Sequence, residues 1–335
     1  MFLKLLISFT GLKKGPMSDK SKNFGLIGLA GYIAVRHLAA IKQTGNNLLA
    51  SLDPFDSVGI IDSYFPGSDF FVEFERFDRH FEKLKRSGIK IDYVSICSPN
   101  FLHDSHIRFA LRHQADAICE KPIVLNPWNI DALQEIEKET GKKVYTVLQL
   151  RLHPSIIALK ERIMKEKKDQ KHNIDLTYIT SRGNWYKFSW KGDLQKSGGV
   201  TTNIGIHFFD LLSWVFGDTQ ENYVHLLEED KAAGYLELEN ARIRWFLSID
   251  YNDLPEEIKQ KGQRTYRSIR VEGNEIEFSG GFNDLHTQTY RQILAGRGYG
   301  LDDARNSVQT VYEIRNSEIQ IKKGEIHPFA FSIVK

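Results

Sequence analysis

The sequence predicts an α/β chain in two parts. Residues 22–150 read as a doubly wound parallel domain, and residues 151–335 as an α+β domain with an open, mostly antiparallel sheet. Three observations carry that expectation. The run 24–34 is apolar, breaks into a glycine-rich turn and resumes with helical spacing. Residues 91–97, 115–119 and 144–150 are continuous apolar runs rich in β-branched residues, as strands covered on both faces of a parallel sheet should be. Past Arg151 the pattern shifts to alternating segments joined by short turns.

The first element repays the closest reading. Phe24, Leu26 and Ile27 belong to a strand that ends at Gly28, and a helix is expected from about Gly31 through Ile41. Gly28 can make the tight turn, and Gly31 lets a ligand approach the backbone closely because it has no Cβ. The helix N-terminus offers unpaired N–H groups and a positive dipole end, a ready place for a pyrophosphate. Against the pattern G-x-G-x-x-G the turn reads G-L-A-G-Y-I, with Ala30 and Ile33 in the second and third glycine positions. A second apolar run, 48–52, ends at Asp53, 22 positions after Gly31, where a ribose-binding carboxylate belongs. Together these predict a dinucleotide-binding Rossmann domain, the plain alternative being a strand-turn-helix with a surface Asp. A carboxylate about 4 Å from the extra phosphate of NADP would repel it by several kcal/mol at an effective dielectric of ~20. Pro54 and Phe55 bring no compensating cation, so NAD is the expected cofactor.

Composition narrows the rest. With 335 residues, 41% hydrophobic and 26% charged, the chain can build two cores. A net charge of +2 gives no overall pull toward nucleic acid or acidic membranes. There is no Cys/His metal spacing, so no metal is expected. Cys97 and Cys119 end buried strands and read as reduced thiols of a cytoplasmic protein. Residues 1–21 stand apart: residues 1–9 resemble a signal-peptide apolar region but are too short to span a bilayer, and no small-residue cleavage site precedes Lys13. Met17 looks like an alternative start. This extension is read as lacking fixed structure, with a weak interfacial helix as the alternative and no stable membrane insertion.

After Asp53 comes loop, short strand and helix, an aromatic-rich stretch to Phe81 with no assignable chemistry. The strand 91–97 ends in Ser98-Pro99-Asn100, with His103 and His106 on the helix that follows. A turn at the carboxyl end of a parallel strand overlies the crevice where ligands bind. Ser98, Asn100 and His103 are therefore cofactor-side candidates, set against simple helix capping. The strand 115–119 ends in Glu120-Lys121-Pro122, which puts a charged pair at the same rim. A lysine held there by a rigid proline turn can supply a fixed positive charge to a substrate oxygen. Asn126 and Pro127 open a helix to about Thr140, and Gln149 ends the strand 144–150. In the second part a basic helix is expected over 154–168, strands over 174–181, 223–227, 234–238, 241–249, 266–271 and 275–278, and a long closing helix over 302–321.

Between those strands, residues 196–212 run through two glycines into a helix on which Asn203, His207 and Asp210 share one face. A histidine so placed can take the proton of a substrate hydroxyl as hydride leaves the carbon. The alternative is a core histidine satisfied by Asp210.

Taken together, the glycine turn, Ser98-Pro99-Asn100 with His103, Glu120-Lys121-Pro122 and Gly205-x-His207-x-x-Asp210 resemble the glucose-fructose oxidoreductase, inositol dehydrogenase and MocA family of NAD(P)-dependent sugar dehydrogenases. The motifs stand in family order and cover the chain from Lys22 on. The resemblance implies that Lys121 and His207 are the catalytic pair. It places the cofactor against Gly28, Ala30, Gly31, Tyr32 and Ile33, against Asp53, against Ser98, Pro99, Asn100 and His103, and against Glu120, Lys121 and Gln149. The position four before the histidine is commonly Asp in the family and is Asn203 here. An amide can position a hydroxyl but cannot exchange protons, so Lys121 and His207 must carry the proton chemistry.

Residues 180–193 and 295–304 resemble the branch that oxidises UDP-N-acetylglucosaminuronate at its 3-hydroxyl, on the route to diacetamido uronic acids of bacterial surface polysaccharides such as O-antigen. Some members keep NAD bound and reoxidise it with 2-oxoglutarate, which the resemblance implies here. Arg182, Lys187, Lys191 and Lys196 suit a substrate bearing about three negative charges. Trp185, Tyr186 and Trp190 could stack on sugar or uracil, or pack. Substrate contacts are expected at Lys121, Arg182, Asn184, Lys187, Asn203 and His207, and a homo-oligomer, dimer or tetramer, through the open sheet. The alternatives are a dehydrogenase of a neutral sugar or inositol, which has no use for a basic cluster, and a non-catalytic dinucleotide-binding sensor, which has no reason to keep both Lys121 and His207.

Overall fold

A computed structural model describes residues 21–166, 171–276 and 284–334. The expectations for residues 1–20, for the end of the basic helix beyond residue 166 and for a strand over 277–278 lie outside the described residues. None of the described helices is long and apolar enough to cross a membrane.

In chain order the first half runs β1 (Asn23–Ile27), α1 (Ala34–Gln43), β2 (Asn47–Leu52), β3 (Asp69–Phe71), α2 (Phe74–Arg86), β4 (Tyr93–Ile96), α3 (His103–Arg112), β5 (Asp116–Cys119), α4 (Trp128–Thr140) and β6 (Val144–Thr146). The six strands form one parallel sheet in the order β3-β2-β1-β4-β5-β6, the doubly wound arrangement expected. Both faces are apolar because both are covered. Ile27, Val94 and Ile96 face a cluster with Phe77, Phe81 and Ile107 from α2 and α3. Phe24, Leu26 and Ile118 face Leu38 and Ile41 of α1 on the opposite side. Boundaries differ slightly from expectation: α1 begins at Ala34 rather than Gly31, and β6 ends at Thr146, with a 3₁₀ turn over Gln149–Leu152 in place of its last residues.

The second half contains α5 (Pro154–Ile163), β7 (His172–Thr180), α6 (Trp185–Phe188), α7 (Leu194–Ser197), α8 (Ile206–Phe216), β8 (Thr219–Leu227), β9 (Lys231–Leu238), β10 (Ala241–Ser248), α9 (Glu256–Gln260), β11 (Thr265–Val271), β12 (Asn274–Glu275), α10 (Leu285–Leu294) and α11 (Leu301–Asn316). Its sheet runs β12-β11-β7-β10-β9-β8, antiparallel at every junction except β7–β10. Strand alternation sorts its faces. Ile243, Trp245 and Leu247 of β10 turn toward Phe209 and Leu212 of α8, while Phe246 turns away toward Ala330 and Phe329 of the chain's own C-terminal segment. That outer face, read from sequence as open, is thus partly covered in cis.

Helix α10 has no counterpart in the sequence reading, and it returns to the first sheet. Tyr290 and Ile293 are fully buried in the cluster of Phe24, Leu26 and Leu38, filling the same side of the sheet as α1. Burying two such side chains contributes about 1.5–3 kcal/mol each, so the parallel sheet gains part of its cover from far along the chain.

Candidate active site

The carboxyl ends of the parallel strands fall in register. Leu52 and Ile96 pair with Ile27, Cys119 with Ile96, and Thr146 with Cys119. The residues that follow them, Asp53, Gly28, Ser98, Glu120 and Lys121, and Gln149, therefore collect along one rim, where open α/β sheets bind ligands.

The glycine turn fits a dinucleotide on three counts. Gly28 has φ +92°, and a Cβ there would lie 2.5 Å from the carbonyl carbon of Cys97, so only glycine fits. Among the described residues no side chain caps the N-terminus of α1 and no acid lies in its first turn, which leaves that end open to an anion. The Gln149 amide oxygen is buried with no hydrogen-bond partner among the described residues, as a group awaiting a ligand donor would be. Asp53 is buried, and its two oxygens accept the Ala30 N–H at 2.8 Å and the Phe55 N–H at 2.9 Å. It ties the glycine turn to the end of β2, and each oxygen keeps a lone pair for a ribose hydroxyl. Tyr32 is 91% exposed at the lip of the turn, next to Ile33.

Three cofactor-side candidates turn inward. Ser98 bonds the His106 ring at 2.8 Å. His103 is buried, with its ring nitrogens 2.7 Å from the Pro122 carbonyl and 2.8 Å from the Ser98 carbonyl, so it braces the backbone on either side of the rim rather than offering a free side chain. Glu120, expected at the rim, is also a correction: it points into the core, where its Oε1 accepts from His37 Nε2 at 3.0 Å and His286 Nε2 at 3.1 Å. These three are the one trio among the described residues whose ligand atoms could gather on a metal, and their hydrogen bonds to one another already account for the arrangement. Asn100, next to Pro99, donates to the Ser197 carbonyl at 2.9 Å, stitching the first half to the end of α7.

Opposite the rim, Gly198, at φ +79°, closes α7 and leads through a π-helical turn (Thr201–Gly205) into α8. A π turn displaces backbone groups from the i→i+4 ladder and recurs at functional sites. Here the Asn203 carbonyl accepts a 2.9 Å hydrogen bond from Lys121 Nζ. The lysine of the first half therefore meets the turn that leads into α8, the helix that carries His207. Burial pushes Lys121 down to about 8, with Glu120 opposing and Lys191 and Arg182 adding to the fall. His207 is held well below its ordinary value by burial and then by the Lys121 cation, so its ring is neutral.

Asp210 does not serve His207. Its carboxylate forms a bidentate buried pair with Arg151, at 2.7 and 3.0 Å, and Arg151 also donates to the Asp303 carbonyl at 2.7 Å. The charge that sequence spacing suggested for the histidine instead anchors α8 to the 3₁₀ turn after β6 and to α11. Sequence reading gave Arg151 no such role.

The basic cluster divides. Arg182 and Lys191 act on Lys121, and Lys191 lies 4.2 Å from the Trp190 ring centroid. Lys187 reaches to Asp230 (3.9 Å) and Lys196 to Asp193 (3.3 Å). Asn184 is exposed at the start of α6. Tyr186 is buried and its hydroxyl accepts from the Asn203 amide at 2.5 Å, so it packs rather than stacks on a ligand, whereas Trp185 is 55% exposed.

Comparison with known proteins settles the family. Residues 22–148 match the model described as "Oxidoreductase family, NAD-binding Rossmann fold", and residues 170–265 its C-terminal alpha/beta domain. The chain belongs to the GFO_IDH_MocA oxidoreductase family. A solved structure of the WlbA (WbpB) dehydrogenase from Thermus thermophilus in complex with NAD and alpha-ketoglutarate is 54% identical, with a TM-score of 0.89, over 92% of this chain and 99% of that one. A second structure of that enzyme, in complex with NAD and UDP-GlcNAcA, matches at 53% identity and a TM-score of 0.88 over the same shares. The WlbA dehydrogenase from Bordetella pertussis, at 18% identity and a TM-score of 0.72 over 90% of this chain and 97% of that one, shares the fold. Curated proteins match more narrowly. The D-glucoside 3-dehydrogenase of Escherichia coli is 30% identical over 39% of this chain, and the matched stretch spans 37% of that protein and 33% of the YteT oxidoreductase of Bacillus subtilis.

Proposed function

We propose that this chain oxidises the 3-hydroxyl of UDP-N-acetylglucosaminuronate to the 3-keto sugar nucleotide, with NAD as cofactor, for bacterial surface polysaccharide synthesis. The observation that carries the reading is the Lys121 hydrogen bond to Asn203, which joins a cation to the turn that opens the helix bearing a neutral histidine, with Arg182 and Lys191 beside it. Support comes from the identity to the Thermus enzyme, whose structures hold NAD with UDP-GlcNAcA or alpha-ketoglutarate.

NAD, when bound, accepts hydride from the carbon that carries the hydroxyl. The protein's part is to hold that carbon's oxygen and remove its proton. The Lys121 ammonium donates to the hydroxyl oxygen and stabilises the negative charge that builds there. The neutral imidazole of His207 accepts the O–H proton as the carbonyl forms. A substrate with several negative charges offsets Lys121, Lys191 and Arg182, which lifts His207 toward the range where it can keep that proton. Asn203 holds its place through Tyr186 and carries no proton.

Substrate binding is assigned to Lys121, Arg182, Asn184, Asn203 and His207, with Lys187 at the margin. Cofactor contacts are assigned to the turn 28–33, to Asp53, to the backbone of 98–100, to Lys121 and to Gln149. 2-Oxoglutarate acts as reoxidant. A cytoplasmic homo-oligomer, dimer or tetramer, forms through the outer face of the second sheet. Turnover with the nucleotide sugar but not with inositol or glucose is the expected result; turnover with inositol or glucose and none with the nucleotide sugar would overturn the assignment.

A further inference from the structure

Directly behind Lys121 lies a buried polar chain with one direction. Ser95 Oγ and Tyr290 Oη are 2.6 Å apart, Tyr290 Oη and His37 Nδ1 2.7 Å, and His37 Nε2 and Glu120 Oε1 3.0 Å. If the His37 Nε2–H donates to the carboxylate, its Nδ1 is free to accept from the tyrosine, which in turn accepts from the serine. From the other side His286 donates to the same Glu120 oxygen at 3.1 Å. The four partners come from β4, α1 and α10, so distant parts of the chain converge on one carboxylate. A carboxyl this deeply buried would ordinarily take up a proton, and two N–H donors on one oxygen are what keep it ionised.

We propose that His37 and His286 are positioning residues that fix a negative charge on Glu120, and that this charge sets the upper limit of the pH range in which the neighbouring Lys121 stays protonated. The inference rests on Lys121 being the catalytic cation proposed above. The other groups around this pair are accounted for. Lys191 and Arg182, from the segment after β7, push Lys121 toward losing its proton. His207 of α8 is neutral, and His103 of α3 is lowered by burial. Cys97, Cys119 and Tyr290 are held in their neutral forms by burial. Glu120 is thus the one anion among the groups acting on Lys121, and burial together with two cations already brings the lysine to about 8.

The test is the pH dependence of kcat/KM. E120Q keeps an acceptor for both histidines but removes the charge, and its alkaline limb is expected to move to lower pH by about 1 unit or more, a roughly tenfold loss of activity above the limb. E120D, which retains the charge, keeps the limb near its original place. H37M/H286M removes both N–H donors from the carboxylate, so that it takes up a proton and the variant behaves as E120Q does. NAD affinity of each variant reports whether the first half is intact. An unmoved limb in a folded E120Q overturns the proposal; should E120Q not fold, an unmoved limb in H37M/H286M does so. K121M separates this failure from the larger one: if K121M still turns over at the normal rate, the catalytic reading itself falls.

Discussion

Lys121 Nζ lies 2.9 Å from the main-chain oxygen of Asn203, a cation at the end of the parallel sheet bound to the turn that launches α8. The contact does two things. It holds the ammonium close to His207, whose ring burial and then the same cation keep neutral, and it joins the two halves of the chain at the point where chemistry is expected.

Removing that cation would take away the charge proposed to act on the substrate oxygen. K121M is expected to lose about 10²–10³-fold in kcat while NAD binding, assigned above mainly to the glycine turn and Asp53, changes little. Single-turnover formation of NADH with equilibrium titration of NAD distinguishes the two quantities.

In the proposed mechanism His207 takes the proton of the hydroxyl. H207N is expected to lower kcat by about 10²–10⁴-fold with a smaller effect on the affinity for the nucleotide sugar, since an amide still bonds the hydroxyl. Loss of affinity with kcat unchanged would assign the ring to binding alone.

In the free enzyme Lys121 titrates at about 8, below its ordinary range. Activity that needs the ammonium is full below that value and falls as pH rises through it, so kcat/KM should have an alkaline limb near pH 8. A bound anionic substrate favours the charged lysine, which moves the limb of kcat to higher pH than that of kcat/KM. A pH-rate profile at saturating and at low substrate resolves both.

The Arg151–Asp210 pair is nearly fully buried, so breaking it strands a charge. R151M should destabilise by about 3–5 kcal/mol, and R151M/D210L should recover part of the loss because no buried charge is left unpaired. Thermal unfolding of the three proteins checks the order: wild type, double variant, single variant.

G28A places a Cβ against the Cys97 carbonyl at a φ that only glycine adopts readily. It should cost more than 1 kcal/mol in stability and weaken NAD binding, measured by titration against the wild-type chain.

Much of this was legible from residues alone, for physical reasons. Continuous apolar strands ending in Gly28, Asp53, Ser98 and Lys121 read as a two-sided parallel sheet with its polar turns at one edge. What escaped were the contacts between distant elements. His37 meets Tyr290 at a separation of 253 residues, and Glu120 meets His286 at 166. No local periodicity encodes such a pair, and α10, with its mixed polar sequence, hid the face that returns to the first sheet. Asp210 misled because helical spacing puts it beside His207, whereas a guanidinium 59 positions earlier in the chain claims both oxygens. Tyr186 stands next to Trp185, and composition does not say which ring is buried. Helix α1 begins three residues late because Gly28 and the Asp53 carboxylate hold the preceding backbone in a turn.

The decisive observation is the fate of the hydrogen on carbon 3. The chain would be incubated with UDP-N-acetylglucosaminuronate deuterated at that carbon, together with NAD and 2-oxoglutarate, and the products followed by mass spectrometry. A 3-keto sugar nucleotide with deuterium recovered in 2-hydroxyglutarate is the expected result. An unchanged nucleotide sugar, or oxidation that leaves the deuterium on carbon 3, would contradict it.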